Sequence, residues 1–293
     1  MIKRSITLIV AIAVVAVLVP VIGGNQPGRA QPILVGRVHD QFQPNKGKIF
    51  VLVIGSDARN GNPNLRADAI HIAGINTKTM RGGILNFPRD SWVNIPGHGS
   101  AKINDALYRG GPRLLARTLE GITGIRLDYY ALVGFEGFRK IIERVGPISM
   151  HFGRGIYDHG GSGAHIAAGR RKLTGGPALA YVRTRKAFSG GDIQRTTNQA
   201  RFLLAMLKKL RDDVRKNPAA LLKWIAIARK HARLDIGERE TFRLAVLASQ
   251  VSARNIGSST VPVSLGSAGG ASVVFIQSRA SSIYRHFKKH ASL

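Results

Sequence analysis

Between Gln41 and Leu119 the chain has no glutamate and only four aspartates, Asp57, Asp68, Asp90 and Asp105, against eleven lysines and arginines. A solvated face normally mixes both signs. Three of these aspartates stand beside an arginine where an apolar run begins or ends: Ser56-Asp57-Ala58-Arg59, Arg66-Ala67-Asp68 and Pro88-Arg89-Asp90. Two carboxylates can hold a hard cation such as Mg²⁺, which keeps several waters and bridges phosphate oxygens. Guanidinium forks match phosphate oxygens two at a time. The set therefore suits a pyrophosphate. The plainer reading is that each Asp–Arg pair fixes its own loop.

A second cluster follows, with Tyr181-Val182-Arg183-Thr184-Arg185 and then Asp192-Ile193-Gln194-Arg195 and Gln199. Arg195 and Gln199 are four apart and share a helix face. Arg183 and Arg185 alternate, so an extended segment would put them on one side. Asp192 is placed either to cap the helix that begins there or to stand at a reacting centre. His159 and His165 flank a glycine-rich stretch and read as surface residues rather than metal ligands.

Strands are expected at Lys48–Ile54, Ala69–Ile75, Gly83–Phe87 and Tyr129–Val133, with a turn at Asn76-Thr77-Lys78. These are short apolar runs bounded by polar loops. Helices are expected over Pro112–Ile122, Gly137–Val145, Gly176–Arg185 and Arg195–Val214. The last has Phe202, Leu203, Met206, Leu207 and Leu210 at helical spacing. Gly153–Gly169 reads as a long excursion. Helices near Pro218–Lys230 and Glu238–Arg254, strands near Thr260–Leu265 and Ser272–Ile276, and a helix near Ser281–His290 complete the chain. Alternation of strands and helices predicts α/β layers around one sheet. Ligand sites in open α/β sheets lie at the carboxyl ends of strands, which is where the Asp–Arg pairs could converge.

At the amino terminus Lys3 and Arg4 precede an unbroken apolar run from Ile6 to Gly24. A helix of about 19 residues spans roughly 28 Å, close to a bilayer core, and flanking basic residues favour the cytoplasmic side. No small-x-small cleavage site follows, so residues 1–24 read as a signal anchor and 25–47 as a linker. Residues 48–293 then form one extracytoplasmic domain, motif-bearing over 50–210. The net charge of +28 attracts polyanions. Nucleic acid is the poorer candidate, because aromatics make up only 6% and no recognition module is present. The absence of cysteine excludes disulfides and Cys-based zinc sites.

Taken in order, Gly55-Ser56-Asp57-x-Arg59, Arg66-Ala67-Asp68, Pro88-Arg89-Asp90, Lys102-Ile103-Asn104, Asp128-Tyr129-Tyr130, Phe135-Glu136-Gly137-Phe138, Ala180 to Arg185 and Asp192-x-x-Arg195-x-x-x-Gln199 resemble the LytR-CpsA-Psr family of cell-wall glycopolymer ligases. The resemblance implies an α-β-α layered fold with a central mixed sheet and an apolar pocket for a polyprenyl tail. It implies Mg²⁺ (or Mn²⁺) at Asp57 and Asp68. It places Arg59, Arg66, Arg89, Lys102, Arg183, Arg185, Arg195 and Gln199 on the pyrophosphate, and Arg89, Asp90 and Asp192 at the reacting centre. The implied partners are a polyprenyl-linked glycan donor, a peptidoglycan acceptor and the cell membrane. A non-catalytic carrier-binding protein and a polyprenyl pyrophosphate phosphatase are the alternatives. Ala69 departs from the family's usual threonine, and Asn198 from its usual arginine. A topology reporter fused after Leu293 is expected to signal from outside the membrane; a cytoplasmic signal would overturn the anchor reading.

Overall fold

The computed structural model describes residues 33–40, 47–56 and 65–293. The apolar run 6–24 and the candidate site residues Asp57 and Arg59 lie outside them. The strands, in chain order, begin with β1 (Ile33–Arg37), β2 (Lys48–Ser56), β3 (Ala67–Asn76) and β4 (Arg81–Phe87). Next come β5 (Trp92–Ile95), β6 (Gly99–Lys102), β7 (Tyr129–Gly134), β8 (Ile148–Phe152) and β9 (Ile156–Tyr157). The chain continues through β10 (His165–Ile166), β11 (Gly169–Leu173) and β12 (Ala232–Asp235). It ends with β13 (Ile256–Thr260), β14 (Val263–Ala268) and β15 (Ala271–Ile276).

Seven of these form one mixed sheet in the order β12-β1-β7-β2-β3-β4-β13. The pairs β1/β7, β2/β3 and β3/β4 are antiparallel, whereas β1/β12, β2/β7 and β4/β13 are parallel. β2 is the middle strand. Its run Phe50-Val51-Leu52-Val53-Ile54 is buried throughout, as expected of a strand covered on both faces. Successive side chains alternate. Phe50, Leu52 and Ile54 pack with Leu115 and Leu119 of the 105–123 helix and with Tyr284 and Phe287 of the 280–290 helix. Val51 and Val53 belong to the other core, with Ile141, Phe202, Leu207 and Leu247 from the 135–145, 191–216 and 238–250 helices. The result is the α-β-α layering the sequence led us to expect.

Several segments differ from that reading. The strand expected over Thr260–Leu265 is divided at Val261-Pro262 into the end of β13 and the start of β14, because proline cannot donate to a ladder. Ile33–Arg37, placed in the linker, is strand β1, and it pairs with β7 and β12 while Val35 is fully buried. The domain therefore begins before Lys48. Its apolar Ile-Leu-Val core is only three residues long among Gly, Pro and Gln, too short to stand out by periodicity. The helix expected from Pro112 begins at Asp105 instead. It breaks at Gly110 and Gly111, where Gly111 adopts φ +69°, and Pro112 then opens its second segment.

The C-terminal third completes the sheet and props its active edge. β13 pairs with β4, and the Val274 N–H of β15 donates to the Asp90 carbonyl at 3.0 Å. On the far face, Gly74 and Gly83 oppose each other across β3/β4 and form a slot for the Phe287 ring. A Cβ at Gly74 would stand 2.7 Å from that ring, and one at Gly83 2.9 Å. Phe287 also meets Phe50 edge-on, with centroids 5.4 Å apart. Phe287→Ala is expected to lose about 3–5 kcal/mol of unfolding free energy, measured by urea denaturation; an unchanged midpoint would exclude the slot as a stabilising element.

Candidate functional site

The carboxyl end of β2, the amino end of β3 and the loop leaving β4 meet at one edge of the sheet, because β3 is antiparallel to both neighbours. This brings Gly55, Asp68 and the Arg89-Asp90 pair together. The 191–216 helix starts at the same edge. Gly191 takes φ +49° as the chain turns into it, a conformation glycine adopts without steric cost.

Arg89 is the hub. Its Nη1 donates to Asp68 Oδ1, and its Nε lies 3.5 Å from Asp192 Oδ1 and 3.8 Å from Asp90 Oδ2. Arg195 Nη2 lies 2.6 Å from Asp192 Oδ1 and donates to the Asp68 carbonyl at 3.4 Å. Lys102 Nζ donates to Asp90 Oδ1 at 2.9 Å. Asp192 does not cap its helix, whose start carries no side-chain cap; its carboxylate stands between the two guanidinium groups instead. Burial pushes the Asp192 pKa up, opposed by Arg195 and Arg89. Burial likewise pulls the Arg195 pKa down. At Arg89 burial also works against the charge, but Asp68, Asp192 and Asp90 together hold its pKa above the ordinary value.

This cluster forms the mouth of a cavity of about 400 Å³. Asp68, Arg89, Arg183, Arg185, Arg195 and Gln199 line its polar end, and Val133, Phe138, Ile141, Phe202, Leu203 and Met206 its apolar end. The 191–216 helix runs between the two. Arg195, Gln199, Phe202 and Met206 recur at three- and four-residue spacing, so one face passes from charged to apolar. Such a space accepts an anionic head and a greasy tail.

The structure brings together Asp68, Arg89, Arg183, Arg185, Arg195 and Gln199 on the cavity wall, with Asp90, Asp192 and Lys102 joined through ion pairs. Arg66 stands apart. It is not on the cavity wall; its Nε pairs with Asp105 Oδ1 at 3.1 Å and its side chain is 58% exposed. Gln199 Nε2 donates to the Val182 carbonyl at 3.1 Å. The Arg183 guanidinium lies 4.8 Å over the Phe135 ring, a cation–π contact that holds it at the wall.

Three residues at the site carried no functional reading in the sequence. Phe135 is one. The second is Asp158, from the Gly153–Gly169 excursion, whose Oδ2 accepts from the backbone N–H groups of Ser162 and Arg185, each at 3.2 Å. Burial disfavours its charge, but those donors outweigh it and hold the pKa below the usual value. An ionised Asp158 thus ties its turn to the Arg185 segment. The third is His71 on β3. It pairs with Val53 and Asn86 on the flanking strands, lines the cavity and is 1% exposed. Its Nδ1 is 2.8 Å from Asn86 Oδ1, and Asn86 Nδ2 donates to Ser258 Oγ at 3.0 Å. Burial pushes the His71 pKa down to about 4, only partly offset by Asn86 and Gln199. A lone polar side chain within Ile70-His71-Ile72 was the available signal.

Residues 29–289 match the model of the LytR_cpsA_psr family. The chain belongs to the LytR_cpsA_psr family. Among relatives within or near it, the probable cell wall biosynthesis protein LcpB of Corynebacterium glutamicum is 36% identical over 170 residues, 53% of this chain and 40% of that protein. The polyisoprenyl-teichoic acid–peptidoglycan teichoic acid transferase TagU of Bacillus mycoides is 33% identical over 162 residues, 55% of this chain and 52% of that protein. The matches thus span about half or less of these relatives' own lengths. Bacillus subtilis TagT, solved with octaprenyl pyrophosphate bound, superposes with a TM-score of 0.65 at 22% identity, covering 85% of this chain and 92% of that one. The LytR_cpsA_psr fold is thereby established for this chain.

Because the folded pKa of His71 lies below that of the unfolded chain, the unfolded state binds the proton first as pH falls. The contribution of neutral His71 is complete above about pH 6.5 and is lost as pH drops toward about 4. Its size is on the order of 3 kcal/mol. The urea midpoint of the parent protein is expected to fall across that window, and that of His71→Leu to fall less; parallel curves would refute the assignment.

Proposed function

We propose that this protein transfers a glycopolymer from a polyprenyl pyrophosphate carrier to peptidoglycan. The observation that carries the proposal is the single helix face that leads from Arg195 at the charged mouth to Met206 at the apolar end of the cavity. The names of LcpB and TagU, and the lipid in TagT, support the same reading. The run 6–24 serves as membrane anchor, with the catalytic domain outside and the cavity supplied with lipid-linked donor from the bilayer.

In this reading Arg89, Arg183, Arg185 and Arg195 take the diphosphate oxygens, which for Arg89 and Arg195 replace their present carboxylate partners. Lys102 keeps Asp90 neutralised while Arg89 engages the substrate. Arg66, off the cavity wall, serves the glycan-bearing side of the head group, and Arg59 adds a further phosphate-binding cation. A peptidoglycan hydroxyl attacks the phosphorus on the glycan side, and the P–O bond to the lipid-side phosphate breaks. The electron pair stays with the departing lipid phosphate, whose growing charge the guanidinium groups stabilise; such preorganised electrostatics are usually the largest catalytic contribution. The hydroxyl proton passes to a carboxylate. Asp192, with its pKa raised by burial, is suited to receive it.

Among the described residues no group of three or more His, Cys, Asp or Glu is arranged to hold a metal. Asp68 nevertheless presents oxygen donors at the cavity mouth, beside the end of β2 that leads to Asp57. This is the donor chemistry of Mg²⁺, which binds through one or two carboxylates and phosphate oxygens rather than a full protein cage. Held by Asp57 and Asp68, Mg²⁺ or Mn²⁺ would neutralise phosphate charge.

The test is an assay with the full-length chain, a lipid-linked glycan and peptidoglycan. Wild-type protein is expected to join glycan to peptidoglycan and release polyprenyl phosphate. Arg89→Ala is expected to abolish transfer while its circular dichroism shows the fold kept, whereas Arg66→Ala, at a site half open to solvent, retains much of it. Phosphate release without acceptor would instead favour a phosphatase, and donor binding without turnover a carrier-binding protein.

A further inference from the structure

The geometry points to His71 as a hydrogen-bond donor, through Nε2–H, to the lipid-side phosphate of the carrier. This inference rests on the function proposed above and adds a residue to that same site.

Depth within the cavity gives the first argument. Gly55 pairs with Ala69 and Val53 with His71, so His71 lies two strand residues, roughly 7 Å, further from the sheet edge than Ala69. On the facing helix Gln199 lies one turn, about 6 Å, beyond Arg195. Asp68, Arg89 and Arg195 thus form an outer rung, and His71 with Gln199 an inner one. Deeper still the helix face offers only Phe202, Leu203 and Met206. A phosphate esterified to a prenyl chain in the apolar end must sit against the inner rung.

The unused valences give the second. His71 Nε2 and Gln199 Oε1 are both buried and neither makes a hydrogen bond of proper geometry, although Gln199 is close enough to influence the ring's titration. A buried polar atom without a partner costs about 1–3 kcal/mol, and a ligand oxygen at this depth would remove that cost at Nε2. The ring itself is braced. Its Nδ1 is engaged by Asn86, which is in turn held by Ser258. As placed, Asn86 Oδ1 accepts the Nδ1 proton and leaves Nε2 bare with the buried Gln199 Oε1, another acceptor, near the ring. Turning the Asn86 amide about at the same atomic positions relieves that clash of acceptors, because Nδ2 then donates to Nδ1 and Oδ1 accepts the Ser258 hydroxyl proton. The proton of the imidazole is then on Nε2, facing the cavity.

Chemistry gives the third. The low pKa keeps His71 neutral, so it can donate one hydrogen bond without adding a buried charge. In the transfer step the P–O bond between the glycan-side phosphorus and the lipid-side phosphate oxygen breaks, and the electron pair remains on that oxygen. A neutral donor at the lipid-side phosphate strengthens its hydrogen bond as that charge grows. His71 keeps its own proton throughout.

The experiment measures binding of geranylgeranyl pyrophosphate and of geranylgeraniol to the full-length chain and to His71→Leu and His71→Gln. For His71→Leu the pyrophosphate is expected to bind about ten- to a hundredfold more weakly, the range for one hydrogen bond to a charged group, with geranylgeraniol binding unchanged. His71→Gln, which keeps an N–H donor, is expected to recover part of the loss. Equal affinity of His71→Leu for the pyrophosphate, or an equal loss for both ligands, would overturn the inference. If the leucine variant does not fold, ¹⁵N NMR of the wild-type imidazole decides. A proton-bearing, hydrogen-bonded Nε2 on adding the pyrophosphate supports the role, and a bare Nε2 rejects it. Wild-type protein that binds no prenyl pyrophosphate would instead remove the function on which the inference rests.

Discussion

A guanidinium group largely withdrawn from water has to be answered by carboxylates, and Arg89, half-buried, imposes that demand on this fold. Three aspartates from three separate segments, Asp68, Asp90 and Asp192, converge on it. Desolvated ion pairs contribute little net stability even when well made, and breaking one leaves a costly orphan charge. The arrangement therefore makes best sense as a site held ready for exchange. Ligand phosphates can replace carboxylates around the same guanidinium groups without any change in their number. The sheet edge, the start of the 191–216 helix and the loop after β4 are all positioned to serve that exchange.

The same helix divides the site into its two chemistries. Its register places arginine, then glutamine, then phenylalanine and methionine along a single wall, and the strand register sets His71 opposite the glutamine. The boundary between the charged and apolar ends of the cavity is thus fixed by two periodicities, 3.6 and 2, in facing elements. Asp158 and Phe135 act on the opposite wall, where they hold the backbone of Arg185 and the guanidinium of Arg183.

Much of this was legible before any coordinates. β2, β3, β4 and β7, the amphipathic helix and the layered fold follow from apolar periodicity, and the described Asp–Arg pairs, Arg66 with Asp68 and Arg89 with Asp90, fall at strand ends as expected. What escaped notice had physical reasons. β1 is too short to show a period, and it becomes a strand only because β7 and β12 flank it. Arg66 looked equivalent to its neighbours in sequence, yet Asp105 at the start of the next helix captures it. His71 stood in the sequence as one polar residue in an apolar strand, and only pairing with Asn86 and Ser258 shows why it is tolerated. Asp192 left capping and chemistry equally open; the structure removes capping, because its carboxylate turns to two arginines instead.

The hydrogen bond from Val274 to the Asp90 carbonyl links the motif-bearing half of the chain to its motif-free third. That third also supplies β13, alongside the strand that delivers Arg89, and Phe287 beneath the glycines of β3 and β4. The recognisable motifs are consequently not a portable cassette. Changes in the late hairpin can retune the pitch of the Asp90 loop, so divergence in ligand preference can arise where comparison of motifs alone would register nothing.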